Sequence, residues 1–317
     1  MIELRTLGAL ELTATDGTAI PSVLAQPRRA ALLCYLALAS PRGFHRRDSL
    51  YPLFWHEHDA EHARHALRQS LYFLRHALGS NAIPSRGDGE LALAADAVCC
   101  DAWEFERAVA GGHAETALAL YRGELLSGLH ISDAPDFERW LGRERERLKH
   151  LAGEAAWSLS QARERTGDAT GAVDAGRRAA ALSPSDETEL RRLLVLLDRV
   201  GDRAGVVRAY EVFASDLKRD YELQPSDETR ALLSKIRTTS VGSLLAPATS
   251  APPSSSNGTP VSVPPPAAPG SRSSGRWRSA ITGRPHAPRM DPRRRVWAAS
   301  ALVCVALLLL GAWYLIP

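Results

Sequence analysis

Residues 60–79 read Ala60-Glu-His-Ala-Arg-His-Ala-Leu-Arg-Gln-Ser-Leu-Tyr-Phe-Leu-Arg-His-Ala-Leu-Gly79, and the reading of this stretch decides the fold. At about 100° per residue, Ala60, Ala63, Ala66, Leu67, Ser70, Leu71, Leu74, Ala77 and Leu78 fall on one half of a helix. Glu61, Arg64, His65, Arg68, Gln69, Tyr72, Arg75 and His76 fall on the other half. Within it, Arg64, Arg68 and Arg75 lie within roughly 40° of one another. One apolar face and a ridge of arginines flanked by Gln, Tyr and His is the make-up of a helix that enters a DNA major groove. The same pattern also fits a surface helix with a solvated charged face, so the neighbouring segments decide between the two.

Upstream, Ile2–Arg5 and Leu10–Thr13 alternate in polarity, and Asp16-Gly17 is a hairpin dipeptide, so the chain opens with short antiparallel strands. Pro27 precedes a helix over Arg28–Ala39 that Pro41 and Gly43 end. A second helix is predicted from about Arg46 to Trp55, and Asp59 suits the N-cap of the third. Downstream, Ala82-Ile-Pro-Ser-Arg-Gly-Asp-Gly-Glu-Leu-Ala-Leu93 reads as strand, tight turn and return strand. Three helices and a small hairpin are the winged-helix arrangement. Arg86 at the hairpin tip is placed to lie beside the adjacent minor groove. A basic pair at a helix start opposes the helix dipole. Arg46 and Arg47 therefore suggest a phosphate partner, and Arg28 and Arg29 could reach phosphates in the same way.

These segments, from LGALELTATDG through PRRAALLCYLALASPRGFHRRDSLYPLFW and HARHALRQSLYFLRHALG to SRGDGELAL, resemble the truncated OmpR-type winged helix of the SARP family of antibiotic-regulatory-protein activators. The resemblance implies that the third helix reads DNA, with Arg64, Arg68, Gln69, Tyr72 and Arg75 at the matching exposed positions. One departure is the return strand, which reads Glu-Leu-Ala-Leu where the family has a longer wing ending in Gly-Tyr.

Residues 101–238 are helical by pattern and carry an internal repeat. Gly167-Asp-Ala-Thr-Gly-Ala-Val recurs 34 residues later as Gly201-Asp-Arg-Ala-Gly-Val-Val, the period of a tetratricopeptide repeat. Pro184-Ser-Asp-Glu-Thr recurs 41 residues on at Pro225, which predicts a second helix of that unit longer by seven residues. A long helix is expected from Pro135 to Arg165, with Phe137, Trp140, Leu141, Leu148, Leu151, Ala155 and Leu159 inward and Glu144–Arg147 as a solvated face. WEFERA, ALALYRGELLSGL, APDFERWLGRERERL and AYEVFASDLKRDYELQPSDETRALLSKI are similar to the bacterial transcriptional activator domain that follows the winged helix in such regulators. That resemblance implies RNA polymerase as a partner and a homodimer on DNA.

Charge is unevenly spread. Residues 1–100 hold ten arginines and ten acidic residues, whereas residues 241–317 hold eight arginines against Asp291 alone. A DNA footprint in the first hundred residues is therefore local rather than global. Four scattered cysteines form no C-x-x-C pair and suggest a reducing compartment. From about Ser240 the chain becomes Pro- and Ser-rich, the composition of a disordered linker. Val296–Ile316 then reads as 21 residues without a charge, bounded by Trp297 at one end and Trp313 and Tyr314 at the other, which predicts a transmembrane helix. Arg293, Arg294 and Arg295 immediately before it keep the N-terminal domains in the bacterial cytoplasm at the inner membrane.

The expected architecture is thus mainly α. A winged helix-turn-helix (α+β) over 1–97 is followed by a TPR-like α-helical repeat domain over 98–238, a linker over 239–295 and one membrane helix over 296–316. His56, His58, His62 and His65 have helical spacing for a metal clasp, but no cysteine or second cluster completes it. No phosphate-binding loop, dinucleotide loop or nucleophile motif occurs, so no catalytic, cofactor or metal site is assigned and an enzyme is not expected. The function expected is a membrane-tethered regulator that reads double-stranded promoter DNA. The alternative is a membrane-anchored repeat scaffold whose winged helix binds no specific DNA.

Overall fold

The computed structural model describes residues 1–244. Alternating polarity at the N-terminus produces β1 (Ile2–Arg5) and β2 (Glu11–Ala14), paired antiparallel with Ile2 opposite Ala14 and Arg5 opposite Glu11. Asp16-Gly17 turns the chain, with the Asp16 carboxylate accepting from the Thr18 N–H at 2.9 Å. A short helix that periodicity does not mark, α1 (Pro21–Leu24), precedes α2 (Pro27–Leu38). Pro27 sits at the first turn of α2, where its missing N–H costs nothing.

A two-residue strand, β3 (His45–Arg46), leads into α3 (Arg47–Trp55) and then α4 (Ala60–Leu78). Asp59 caps α4 as expected, accepting from the N–H groups of Glu61 and His62. β4 (Ser85–Arg86) and β5 (Glu90–Leu91) form the hairpin, and β3 adds to β5, giving the order β3-β5-β4. After α1, three longer helices are thus followed by a hairpin.

The chain then returns to its beginning. β6 (Val98–Cys100) pairs parallel to β1, so the first sheet is ordered β2-β1-β6. Residues 98–100 thus complete the N-terminal sheet, although the sequence reading begins the helical domain at residue 98. Asp101 fixes the junction by accepting from the N–H groups of Thr6 and Leu7 and from the Thr6 hydroxyl at 2.8–3.0 Å. Burial and the neighbouring Asp101 carboxylate push the Cys100 thiol up to about 12, so it stays protonated and packs as a small apolar group.

The helical part comprises α5 (Asp101–Ala110), α6 (Ala114–Leu120), α7 (Pro135–Arg165), α8 (Ala169–Leu182), α9 (Glu187–Arg199), α10 (Arg203–Tyr221) and α11 (Asp227–Leu244). The repeat is visible in its caps. Asp168 accepts from the Gly171 N–H at 2.9 Å, and Asp202 accepts from the Gly205 N–H at 2.8 Å. A Cβ on either glycine would meet the capping carboxylate, which explains the second glycine of both copies. Gly167 and Gly201 close the preceding helices at φ +82° and +81°, a conformation glycine adopts without strain.

The extra length of the second unit lies mainly in its first helix, not its second. α10 has 19 residues against 14 in α8. The two Pro-Ser-Asp-Glu-Thr copies also touch: the Glu187 carboxylate of the first accepts from the Ser226 N–H at 3.0 Å and from the hydroxyls of Ser226 and Thr229 in the second.

The expected inward residues of α7 form one wall of a continuous core, with Phe137, Trp140, Leu141, Leu148 and Ala155 buried. Glu144–Arg147 differs from expectation. Arg145 turns inward to the carbonyls of Leu125 and Leu126 at 2.9 Å, and Arg147 bridges Glu144 to Glu106 on α5 at 2.8 and 2.6 Å. A helical wheel registers their polarity but not the loop and helix laid against them.

The N-terminal and helical parts share this core. Phe54 on α3 meets Phe137 on α7 with ring centroids 5.2 Å apart, and Tyr35 on α2 meets Trp140 at 4.8 Å. The Trp103 indole N–H donates to the Ala37 carbonyl at 2.7 Å. The Leu126 N–H donates to the Thr6 carbonyl at 2.8 Å, carrying the sheet edge into the loop before α7. The backbone of the two parts is therefore hydrogen-bonded directly, as well as packed.

α11 runs to Leu244, into the segment expected to be linker. Among the described residues no helix is long and apolar enough to cross a membrane. The expected membrane helix over 296–316 and the linker beyond residue 244 lie outside the described residues.

Candidate nucleic-acid interface

α4 buries Ala63, Leu67, Leu71, Leu74 and Leu78, a stripe at spacings of three and four that holds the helix against the N-terminal core. Its other side is left outward. Arg64, Arg68, Gln69, Tyr72 and His76 are exposed, and Tyr72 is 69% accessible. The Tyr72 and His76 rings lie nearly parallel, 10° apart in plane with centroids 6.3 Å apart. Among the described residues no carboxylate forms an ion pair with Arg64, Arg68, Arg75 or Arg47.

The ten candidate residues do not share one environment. Arg64, Arg68, Gln69 and Tyr72 stand outward on α4, as the wheel predicts. Arg75 turns back toward the hairpin: its Nε and Nη2 donate to the Ile83 carbonyl at 3.0 and 2.8 Å, and Nη2 also reaches Ser85 Oγ at 2.8 Å. Burial, and then the positive charge of Arg47, hold the Arg75 guanidinium below its ordinary value. Arg47 Nη2 donates to the same Ser85 hydroxyl at 3.2 Å, and the Arg47 N–H donates to the Gly89 carbonyl at 2.8 Å. α3, α4 and the hairpin thus converge on Ser85.

Arg46 is exposed beside Asp48 at 3.4 Å. Arg86, on β4, lies over the Phe44 ring at 3.9 Å and pairs with Glu90 at 3.3 Å. The hairpin arginine is therefore steered by an aromatic ring from the turn before α3.

Arg28 and Arg29 depart from the phosphate role considered for them. Arg29 is 8% exposed, donates to the Ser22 carbonyl and Gln26 Oε1 at 2.9 Å, and lies over the Phe73 ring at 4.3 Å. Arg28 pairs with Asp133, in the loop before α7. Both guanidiniums serve contacts within the molecule. The periodic reading places them at a helix start, but it carries no information about the loop residues that come to meet them.

Sequence reasoning missed Ser85 and Phe44. Neither belongs to a periodic pattern. The only local hint for Ser85 is its position between Pro84 and Arg86 at the root of the hairpin. The histidine run gives His62 a bond from Nδ1 to Asp59 Oδ2 at 2.7 Å. Among the described residues no group of three or more His, Cys, Asp or Glu side chains could hold a metal ion.

The geometry defines a hairpin-bearing three-helix unit with an outward arginine row, joined through a common core to a helical-repeat domain. Residues 100–237 match the family described as the Bacterial transcriptional activator domain. The fold is similar to a solved structure of Mycobacterium tuberculosis EmbR in complex with a low affinity phosphopeptide. The TM-score is 0.54 and the identity 22%, over 75% of this chain and 65% of that one. The chain thus spans just under two thirds of the length of the EmbR chain it matches. No curated protein matches it.

Proposed function

We propose that the chain is a sequence-specific DNA-binding transcriptional regulator of the antibiotic-regulatory-protein type, with α4 in the major groove. The observation that carries this reading is the outward row of Arg64, Arg68, Gln69 and Tyr72, without carboxylate partners among the described residues and beside a hairpin that bears Arg86. A row of unpaired guanidiniums on a rigid helix suits the acceptor edges of guanine and the phosphates around them. The match of residues 100–237 to an activator domain supports activation as the outcome and RNA polymerase as a partner. A homodimer on DNA and tethering to the inner membrane by 296–316 belong to the same proposal.

The test starts from selection of duplexes out of a randomised pool by the full-length protein, followed by anisotropy titration of the selected duplex at fixed salt. Arg68→Ala is expected to weaken that duplex by about 1–3 kcal/mol and to relax preference at one base position. Unchanged affinity and preference in the variant would remove Arg68 from the reading role.

A second reading, a repeat scaffold without specific DNA binding, is favoured by one observation. A cleft of about 440 Å³ between α8, α9 and α10 has an apolar floor that includes Leu190, Leu193, Val212 and Phe213. The two readings part on salt dependence. A DNA reader loses affinity steeply as salt rises, whereas the scaffold shows no selected duplex and a slope near zero.

A further inference from the structure

Two positive groups meet at Ser85 with no negative one between them. Arg47 and Arg75 both donate to the Ser85 hydroxyl, at 3.2 and 2.8 Å. A hydroxyl is a weak acceptor for two guanidiniums, and beyond the effect of burial the charge of Arg47 lowers the proton affinity of Arg75 further. The two arginines open onto a cleft of about 580 Å³, lined also by Arg68, Tyr72, His76 and Ser80 and by no acidic side chain.

The position of the cleft along α4 also matters. Arg64 and Arg68 lie in its first half, the part of a groove-binding helix that meets base edges, while Arg75 and His76 lie in its last turn. A site between that last turn and the root of the hairpin faces the strand rim of the groove rather than its floor. Guanidinium groups with no carboxylate between them are donors that phosphate takes.

We propose that this cleft seats a single phosphodiester group of the DNA backbone, held by Arg47 and Arg75, which their shared contact with Ser85 draws together. The proposal rests on the DNA-binding reading of α4. It divides the labour of the interface. Arg64 and Arg68 discriminate sequence, while Arg47 and Arg75 supply affinity that is blind to sequence and fix the register of α4 in the groove.

The experiment measures full-length wild type, Arg47→Gln, Arg47→Lys and Arg68→Ala on the selected duplex and on an unrelated duplex. Affinity is followed from about 50 to 200 mM salt, where each neutralised phosphate contributes roughly 0.9 to the slope of log affinity against log salt. Arg47→Gln is expected to lower the slope by about one and to weaken both duplexes by the same factor, leaving their ratio unchanged. Arg47→Lys restores the slope, because a lysine charge also releases a counterion. Arg68→Ala is expected to change the ratio. Far-UV circular dichroism shows whether each variant is folded, and Arg75 is left intact because it also holds the Ile83 carbonyl.

A folded Arg47→Gln with the wild-type slope on both duplexes overturns the seat while leaving the DNA reading standing. A wild type that binds no duplex removes the DNA reading and the seat with it. Inorganic phosphate titrated at constant ionic strength separates the two sources of the anion. Thermal stabilisation of wild type but not of Arg47→Gln, together with an unchanged DNA slope in the variant, assigns the cleft to a free phosphate and overturns the backbone assignment.

Discussion

Arginine does opposite work in the helical part of this molecule and on the outer face of α4. In the helical part its side chains are fastened: Arg145 to the carbonyls of Leu125 and Leu126, Arg178 to those of Leu118 and Tyr121, and Arg199 by two bonds to Glu164 at 2.8 and 3.0 Å. On α4, Arg64 and Arg68 stand in water without a carboxylate partner among the described residues. A guanidinium fastened to carbonyls satisfies loop groups that would otherwise be buried unpaired, so its removal is felt as lost stability. An unfastened one contributes little to the fold and is free to meet a ligand. The same residue type is mortar in the helical part and a contact surface on the outer row of α4.

The largest expected effect tests whether the two halves are one body at all. Phe137 on α7 is fully buried and lies against the Phe54 ring of α3. Phe137→Ala is expected to cost about 3–5 kcal/mol in denaturant unfolding, with tryptophan fluorescence and circular dichroism moving together. A transition in which the N-terminal part melts alone would break the comparison, because the halves would then be independent modules.

Next in size, Arg145→Ala is expected to lower stability by about 1–3 kcal/mol, since it strands the Leu125 carbonyl and leaves that of Leu126 with the Leu129 N–H alone. The sharpest form of the comparison sets this variant beside Arg68→Ala, which should leave the unfolding free energy within about 0.5 kcal/mol of wild type. If Arg68→Ala destabilises as much as Arg145→Ala, the distinction between mortar and contact surface is wrong.

The smallest effect concerns the clasp between the repeats. Burial acts to raise the Glu187 carboxyl, but the hydrogen bonds from Ser226 and Thr229 and the charge of Arg191 outweigh it, and the group lies below its ordinary value. A depressed carboxyl contributes stability above its unfolded pKa and loses that contribution as pH falls through the folded one. Wild type is therefore expected to lose stability on acidification more steeply than Glu187→Gln, by under about 1 kcal/mol. Parallel pH profiles for the two proteins would show that the clasp carries no linked charge.

What could be read from the sequence follows from what periodicity records. The apolar stripe of α4, the Asp59 cap, the Gly-Asp-Gly hairpin and the repeat with its Asp168 and Asp202 caps are all local, and local spacing specifies them. β6 is beyond that reach. It is three residues long and pairs with a strand nearly a hundred positions earlier, a contact that leaves no periodic trace. The candidate arginines divide for the same reason. The wheel gives the side of the helix each one leaves from, so Arg64 and Arg68 are placed correctly as outward residues. It cannot give the carbonyl or ring each one reaches, so the inward turns of Arg29 and Arg75 emerge only from the tertiary structure.

The parallel pairing of β6 with β1 has a consequence for anyone who would exchange parts between this chain and another. A chimera cut between Ala97 and Val98 would take away the neighbour of the first strand, bare the aromatic rings that α2 and α3 set against α7, and leave Asp101 without the N–H groups it binds. The transplantable unit is the pair of halves together. If α4 reads DNA as proposed, new specificity is better grafted as side chains on its outer row than as a foreign module joined at that seam.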